Sequence, residues 1–276
     1  MFSKLLKHEF KQQGGLLTIL SCAALGAGLL GGVAVWLLMR TIAERPDSEA
    51  AAIGAIFAML FAMGMMFVVI AYSVGMVILL VYRFYKRHFS DEGYLTFTLP
   101  ATTHQILLSS IAHIAIWSLI TVIVAAIAFV SIFFQMMNVA FTAAELPVDY
   151  IWQEIRMAFE SQFGVGHLIL QVISVIATAV YSLILPLLAI TIGSVAVKKY
   201  KLLASFGIYY GINMLLSMGT NLLSFATAVG DIFAYEATGR LSMYFTLSVN
   251  SLLYLGIGIG GYFIMHALVD KKLNLP

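Results

Sequence analysis

Charge is what this sequence has least of: Asp, Glu, Lys and Arg make up only 10% of its 276 residues. They fall in the tails and in five connecting segments, leaving six long apolar runs with none. Cysteine is nearly absent as well. Cys22 stands alone, so the chain holds no intramolecular disulfide and carries no signal of redox compartment. No G-x-x-x-x-G-K-[ST] phosphate loop occurs, and neither does the dipeptide Gly-Lys, so any ATP consumed must be bound by another chain. An H-E-x-x-H metal site is missing, and so is an Asp pair inside the runs, which removes two routes to intramembrane proteolysis. A Ser and His pairing through His113 or His167 stays open, but nothing marks the chain as an enzyme, and no metal or cofactor is expected on it. Ion-coupled transport is disfavoured too, because His113, and His266 near an end, are the only ionisable groups at membrane depth.

What is present is hydrophobic length. Apolar residues make up 62% of the chain, and the mean hydropathy is +0.99. A hydrocarbon core of about 30 Å needs about 20 apolar residues in helical form. The runs 16–39, 53–82, 106–136, 168–197, 202–225 and 243–268 each meet that length. They are continuous rather than alternating, which excludes a β-barrel. The expected fold is an all-α integral membrane protein with six transmembrane helices, forming a single domain over 1–276. The run from 50 to 82 would reach about 50 Å as helix, so tilt or projection beyond the membrane is expected. Pro186 favours a kink in the fourth run.

Orientation follows from the excess of Lys and Arg on cytoplasmic segments. With the N-terminus inside, the inner face carries eleven basic residues, from Lys4, Lys7 and Lys11 to Lys271 and Lys272, against four acidic ones. The outer face carries four basic and nine acidic residues. Both termini are therefore expected in the cytoplasm. The net charge of +2 is the sum of a basic inner and an acidic outer face, which implies no nucleic-acid partner.

Two segments outside the runs are patterned. In 1–13, Phe2, Leu5, Leu6, Phe10 and Gln13 recur at helical spacing opposite Lys4, Lys7, His8 and Lys11, as in an amphipathic helix lying in the plane of the inner leaflet. In the outer loop 137–167, Val148, Ile151, Trp152, Ile155 and Phe159 repeat at three- and four-residue steps, which predicts a short amphipathic helix. Small residues recur four apart at Ala24, Gly28 and Gly32, at Gly54, Ala58 and Ala62, at Gly207 and Gly211, and at Gly256 and Gly260, a spacing that serves packing within one bundle or between two chains. Met59, Met63 and Met66 form a one-face stripe, and Asn213, Asn221 and Asn250 supply neutral hydrogen-bonding groups at depth. Both sets are candidates for a substrate path, and core packing explains either as well.

The most specific stretch is the inner connector, 83–105. It begins basic, turns at Asp91, Glu92 and Gly93, passes through Tyr94, Leu95 and Phe97, and re-enters the membrane after Leu99 and Pro100. Most connections need only a few residues, so this one is built to do more than turn. The order Asp91-Glu92-Gly93, then Leu99-Pro100, then Gln105 to Leu108 resembles the type-2 ABC transporter permeases, with Ser110 standing where a Lys is common in that family. The resemblance implies a coupling helix that docks on a separate ATP-binding subunit. Phe89, Asp91, Glu92, Gly93, Tyr94, Leu95, Phe97, Leu99 and Pro100 would then form the docking segment. It further implies two copies of the ATPase carrying ATP and Mg, a second permease chain of the same or a homologous kind, and a place in the cell membrane of a bacterium. The expected function is ATP-driven export of a hydrophobic or amphiphilic substrate such as a peptide, antimicrobial, lipid or drug. The alternative is a membrane immunity, sensor or scaffold protein that moves nothing.

Overall fold

The computed structural model of the chain describes residues 2–43, 49–90, 93, 96, 98, 101–143, 153–154, 156–157, 165–197, 199–233 and 239–272. Among these the structure is helical and contains no strand. Its long helices are α1 (Phe2–Ala43), α2 (Glu49–Phe89), α3 (Thr103–Ala143), α4 (Val165–Ala196), α5 (Lys201–Phe233) and α6 (Gly239–Lys272). All six are long and apolar enough to cross a membrane. The continuous apolar runs explain this, since a backbone in lipid must satisfy its own hydrogen bonds and a helix does so within one segment.

The helices exceed the runs that predict them. The first 13 residues form no separate in-plane element: α1 continues through Gly14 and Gly15 without a break. Two glycines cost a helix only about 1 kcal/mol each, and none of the described glycines adopts a positive φ. The facial pattern persists inside this longer helix, with Phe2, Leu5, Leu6, Phe10 and Gln13 half-buried and Lys4, Lys7, His8 and Lys11 exposed. Helix α4 likewise runs unbroken through Pro186, whose neighbours Leu185 and Leu187 are buried. In the segment between α3 and α4, Gln153, Glu154, Arg156 and Met157 are helical, whereas the apolar residues of the expected short helix, Val148, Ile151, Trp152, Ile155 and Phe159, lie outside the described residues.

The chain divides into two compact units, with boundaries inside α2 and α3. One comprises Ser3–Leu80 and Ala112–Met157. Here the small-residue stripe of α1 is used for intramolecular packing. A Cβ on Gly28 would overlap the Cβ of Ala128 and lie 2.8 Å from its Cα, and one on Gly32 would strike Ser131. Lipid is as apolar as leucine, so close backbone approach and van der Waals contact hold such helices together. Val35, Ala62 and Ile132 are fully buried at this junction, with Met65 and Met66 packed against them. The Tyr72 hydroxyl donates to Ser21 Oγ at 2.9 Å, tying α2 to α1.

The other unit comprises Met1–Phe2, Val81–Ile111 and Ala158–Pro276. Within it α4 and α6 lie side by side and parallel: Gly166 faces Tyr244, Val180 faces Gly258, and Ile184 faces Gly261, so the paired positions rise together. Gly256 and Gly260, the pair expected to pack, have open space where a Cβ would be, and the contact is made instead by Gly258 and Gly261. Helix α5 returns antiparallel through a tight connection. Gly193 approaches Ser205 too closely to carry a Cβ, and Tyr200 takes a left-handed φ of 56°.

Candidate functional site

The connector between α2 and α3 belongs wholly to this second unit, and its flanks hold several buried polar residues. Helix α2 ends in Phe84, His88 and Phe89, all buried, and α3 begins with buried Ile106, Leu107, Ser109 and Ser110. His88 is fully enclosed. Its Nδ1 lies 3.0 Å from the Phe84 carbonyl, an acceptor only, so Nδ1 carries the proton and Nε2 can accept from Ser110 Oγ at 3.5 Å. The His88 ring lies 4.4 Å from Phe84 and 6.2 Å from Phe89, centre to centre. A single histidine thus joins the last turn of α2 to the first turns of α3.

The connector folds back on the same helix end. Ser90 Oγ donates to the Lys86 carbonyl, the Gly93 amide donates to the Ser90 carbonyl at 2.8 Å, and Thr96 Oγ1 donates to the Arg87 carbonyl at 3.2 Å. The last α2 carbonyls have no partner within the helix, and the Ser90 and Thr96 hydroxyls cap two of them, while the Gly93 bond closes the turn that follows. Gly93 and Thr96 are helical and buried, while Thr98 is an exposed turn residue. Of the expected docking residues, Phe89 and Gly93 are thereby placed on the inner side of the segment. Asp91, Glu92, Tyr94, Leu95, Phe97, Leu99 and Pro100 lie outside the described residues.

Where the chain re-enters helix, a second set of contacts ties it to α6. Thr103 Oγ1 donates to Asp270 Oδ1 at 3.2 Å, and the Tyr262 hydroxyl pairs with His104 Nδ1 at 2.5 Å. The His104 ring lies 5.8 Å from Tyr262 and 6.1 Å from His266. Tyr262, His266 and Asp270 are four residues apart and therefore line one helical face. Met265 and Val269, on the same side, are buried. Sequence reasoning missed this clasp because 158 residues separate His104 from Tyr262. Its only trace in the sequence is three polar side chains at four-residue steps near the C-terminal end of the last span.

The candidate path residues are divided between the two units and have different surroundings. Met59 and Met63 are exposed, whereas Met66 packs on the core of the first unit. Asn213 accepts from the Tyr181 hydroxyl at 2.8 Å and donates to the Tyr209 carbonyl at 3.1 Å, and the Tyr181 and Tyr254 rings pack at a tilt with their centres 4.9 Å apart. Asn250, one turn from Tyr254, has a buried Oδ1 with no hydrogen-bond partner among the described residues. Asn221 is exposed and donates to Ser217 Oγ at 3.3 Å. His113 is buried in an aromatic setting, 4.8 Å from Phe10 and 6.5 Å from Trp117. Among the described residues no group of three His, Cys, Asp or Glu side chains is placed to hold a metal.

Comparison of the chain with protein-family models, with curated proteins and with solved structures finds no match in any of the three. Function therefore has to be argued from the connector and the membrane helices themselves.

Proposed function

We propose that this chain is the membrane-spanning permease subunit of an ATP-driven ABC transporter of the type-2 kind, exporting a hydrophobic or amphiphilic substrate. The observation that carries the reading is the connector. Its order of acidic pair, glycine, Leu-Pro and Gln105 to Leu108 resembles that family, and it sits on helix ends whose histidine and serines are buried. A segment that receives force from another protein needs such a seat, since a loop free of its helices would absorb the displacement. Two ATPase chains, which carry the ATP and Mg, dock through residues 89–98 of two permease chains, with both termini in the cytoplasm of a bacterial cell. ATP hydrolysis shifts the pair between inward- and outward-open states.

Pairing with a second permease chain is supported by α5. Tyr210, Met214 and Met218 are exposed along one face, together with Ser217 and Asn221. Lipid satisfies no hydrogen-bonding side chain, so polar groups at this depth call for protein or a wet path opposite them.

The experiment is recovery of vanadate-sensitive ATPase activity with the chain from detergent-solubilised native membranes, comparing the parent with a Tyr94→Asp, Leu95→Asp variant. Recovery with the parent and loss with a variant of unchanged yield and elution supports docking through the connector. No recovered activity in several mild detergents would overturn the transporter reading in favour of a membrane partner that transports nothing.

A further inference from the structure

Resting on that reading, we infer that α6 is the helix through which connector movement reaches the rest of its unit, with Thr103, His104, Tyr262, His266 and Asp270 as the joint. Thr103 and His104 open α3 within a few residues of the docking segment, so a displacement of the connector arrives there with almost no intervening chain. Both residues hold α6 rather than their sequence neighbours: Thr103 holds Asp270, and His104 holds Tyr262 with His266 edge-on beside it. The three α6 residues cover two turns of one face, and two attachment points resist rotation of α6 about its axis, where a single contact would act as a pivot.

From the joint, the path continues through backbone contact. Gly258, close to Tyr262 along α6, admits the Val180 side chain where its own Cβ would stand, and Gly261 lies against Ile184 and Leu188. Helices this close cannot slide without steric cost, because packed interiors shift between discrete arrangements rather than deforming continuously. Helix α4 therefore moves with α6 as a parallel pair. The pair carries Tyr181 and Tyr254, and the Tyr181 hydroxyl reaches Asn213 of α5. Events at the connector are thus delivered to the polar groups at membrane depth that join α4, α5 and α6. Thr103, His104, Tyr262 and Asp270 are positioning residues in this scheme and touch no cargo.

The test reads α6 directly. In a Cys22→Ser background, an environment-sensitive fluorophore is placed at Leu252→Cys, an exposed site on α6, and the chain is purified with its bound ATPase and reconstituted. Trapping with ATP and vanadate is expected to shift the emission of the parent. In Thr103→Val with Tyr262→Phe, which removes two hydroxyls and little volume, the shift is lost while ATPase recovery and thermal midpoint stay as in the parent. A joint that only stabilised the fold would lower the midpoint and leave the shift intact. A shift that persists in the double variant, or is absent from a parent that retains its ATPase, overturns the inference and leaves the permease reading standing. A parent that recovers no ATPase overturns both.

Discussion

Replacing His88 with alanine tests whether the connector has a rigid seat. The imidazole is fully buried, bonded to the Phe84 carbonyl at 3.0 Å and to Ser110 at 3.5 Å, and flanked by two phenylalanine rings. Truncating a buried side chain of this size to alanine costs about 2–5 kcal/mol, according to how far the site collapses. The lost hydrogen bonds add only about 1 kcal/mol. The Phe84 carbonyl lies inside α2 and keeps its helical bond, and the Ser110 hydroxyl can turn to the Ile106 carbonyl one turn back, as Ser109 already does at 2.9 Å. A loss of about 3–4 kcal/mol corresponds to a fall in thermal midpoint of roughly 10 °C for a chain of this size. His88→Phe keeps the volume and loses only the polar contacts, so about 1–2 kcal/mol is expected. Tyr82→Ala, on the same helix but 50% exposed, serves as the control and should move the midpoint by about 1 °C or less. The assay is thermal unfolding in detergent followed by size-exclusion recovery. If His88→Ala melts with the Tyr82→Ala control, the seat is not rigid, and the proposed transmission of force through the connector loses its mechanical basis.

The glycines separate contact from open space. Gly28→Val should destabilise the chain by about 1–3 kcal/mol or more, because its Cβ overlaps Ala128, whereas Gly211→Ala, with nothing within 4 Å, should be neutral or stabilising by about 0.5–1 kcal/mol through helix propensity. Equal midpoints for the two variants would contradict the α1–α3 packing. Tyr181→Phe removes the donor to Asn213 and should cost about 0.6 kcal/mol, the average for such bonds in membranes; a loss above about 2 kcal/mol would mean that the hydroxyl does more than join α4 to α5. Tyr200→Gly should raise the midpoint slightly, relieving about 1 kcal/mol of left-handed strain at a residue 81% exposed. A lower midpoint would show that the tyrosine ring contributes an anchoring contact at the membrane surface.

Helix number and type were legible in the sequence because uncharged length is a local property, and no distant residue is needed to read it. Register between helices was not. The spacing of Gly256 and Gly260 is indistinguishable from that of other small pairs, yet Gly258 and Gly261 are the ones that meet α4. Which face of α6 turns inward is decided by its partner, and the partner is far away in the chain. The end of the first helix was misjudged for a related reason. The amphipathic pattern of 1–13 reads as a separate in-plane helix, but the propensity cost of Gly14 and Gly15 is small beside the backbone bonds that a continuous helix retains in and near lipid. At the connector the local pattern carries only part of the arrangement. Asp91, Glu92 and Gly93 are written side by side, whereas the residues that fix the segment to the helices, His88 with Ser110 and His104 with Tyr262, come from turns 22 and 158 positions apart. A sequence advertises what a surface offers to a partner, since that composition is contiguous. What holds such a segment in place is distributed over the chain, so on the proposed permease reading substitutions at His88 or Tyr262 should impair coupling without altering the proposed docking segment itself.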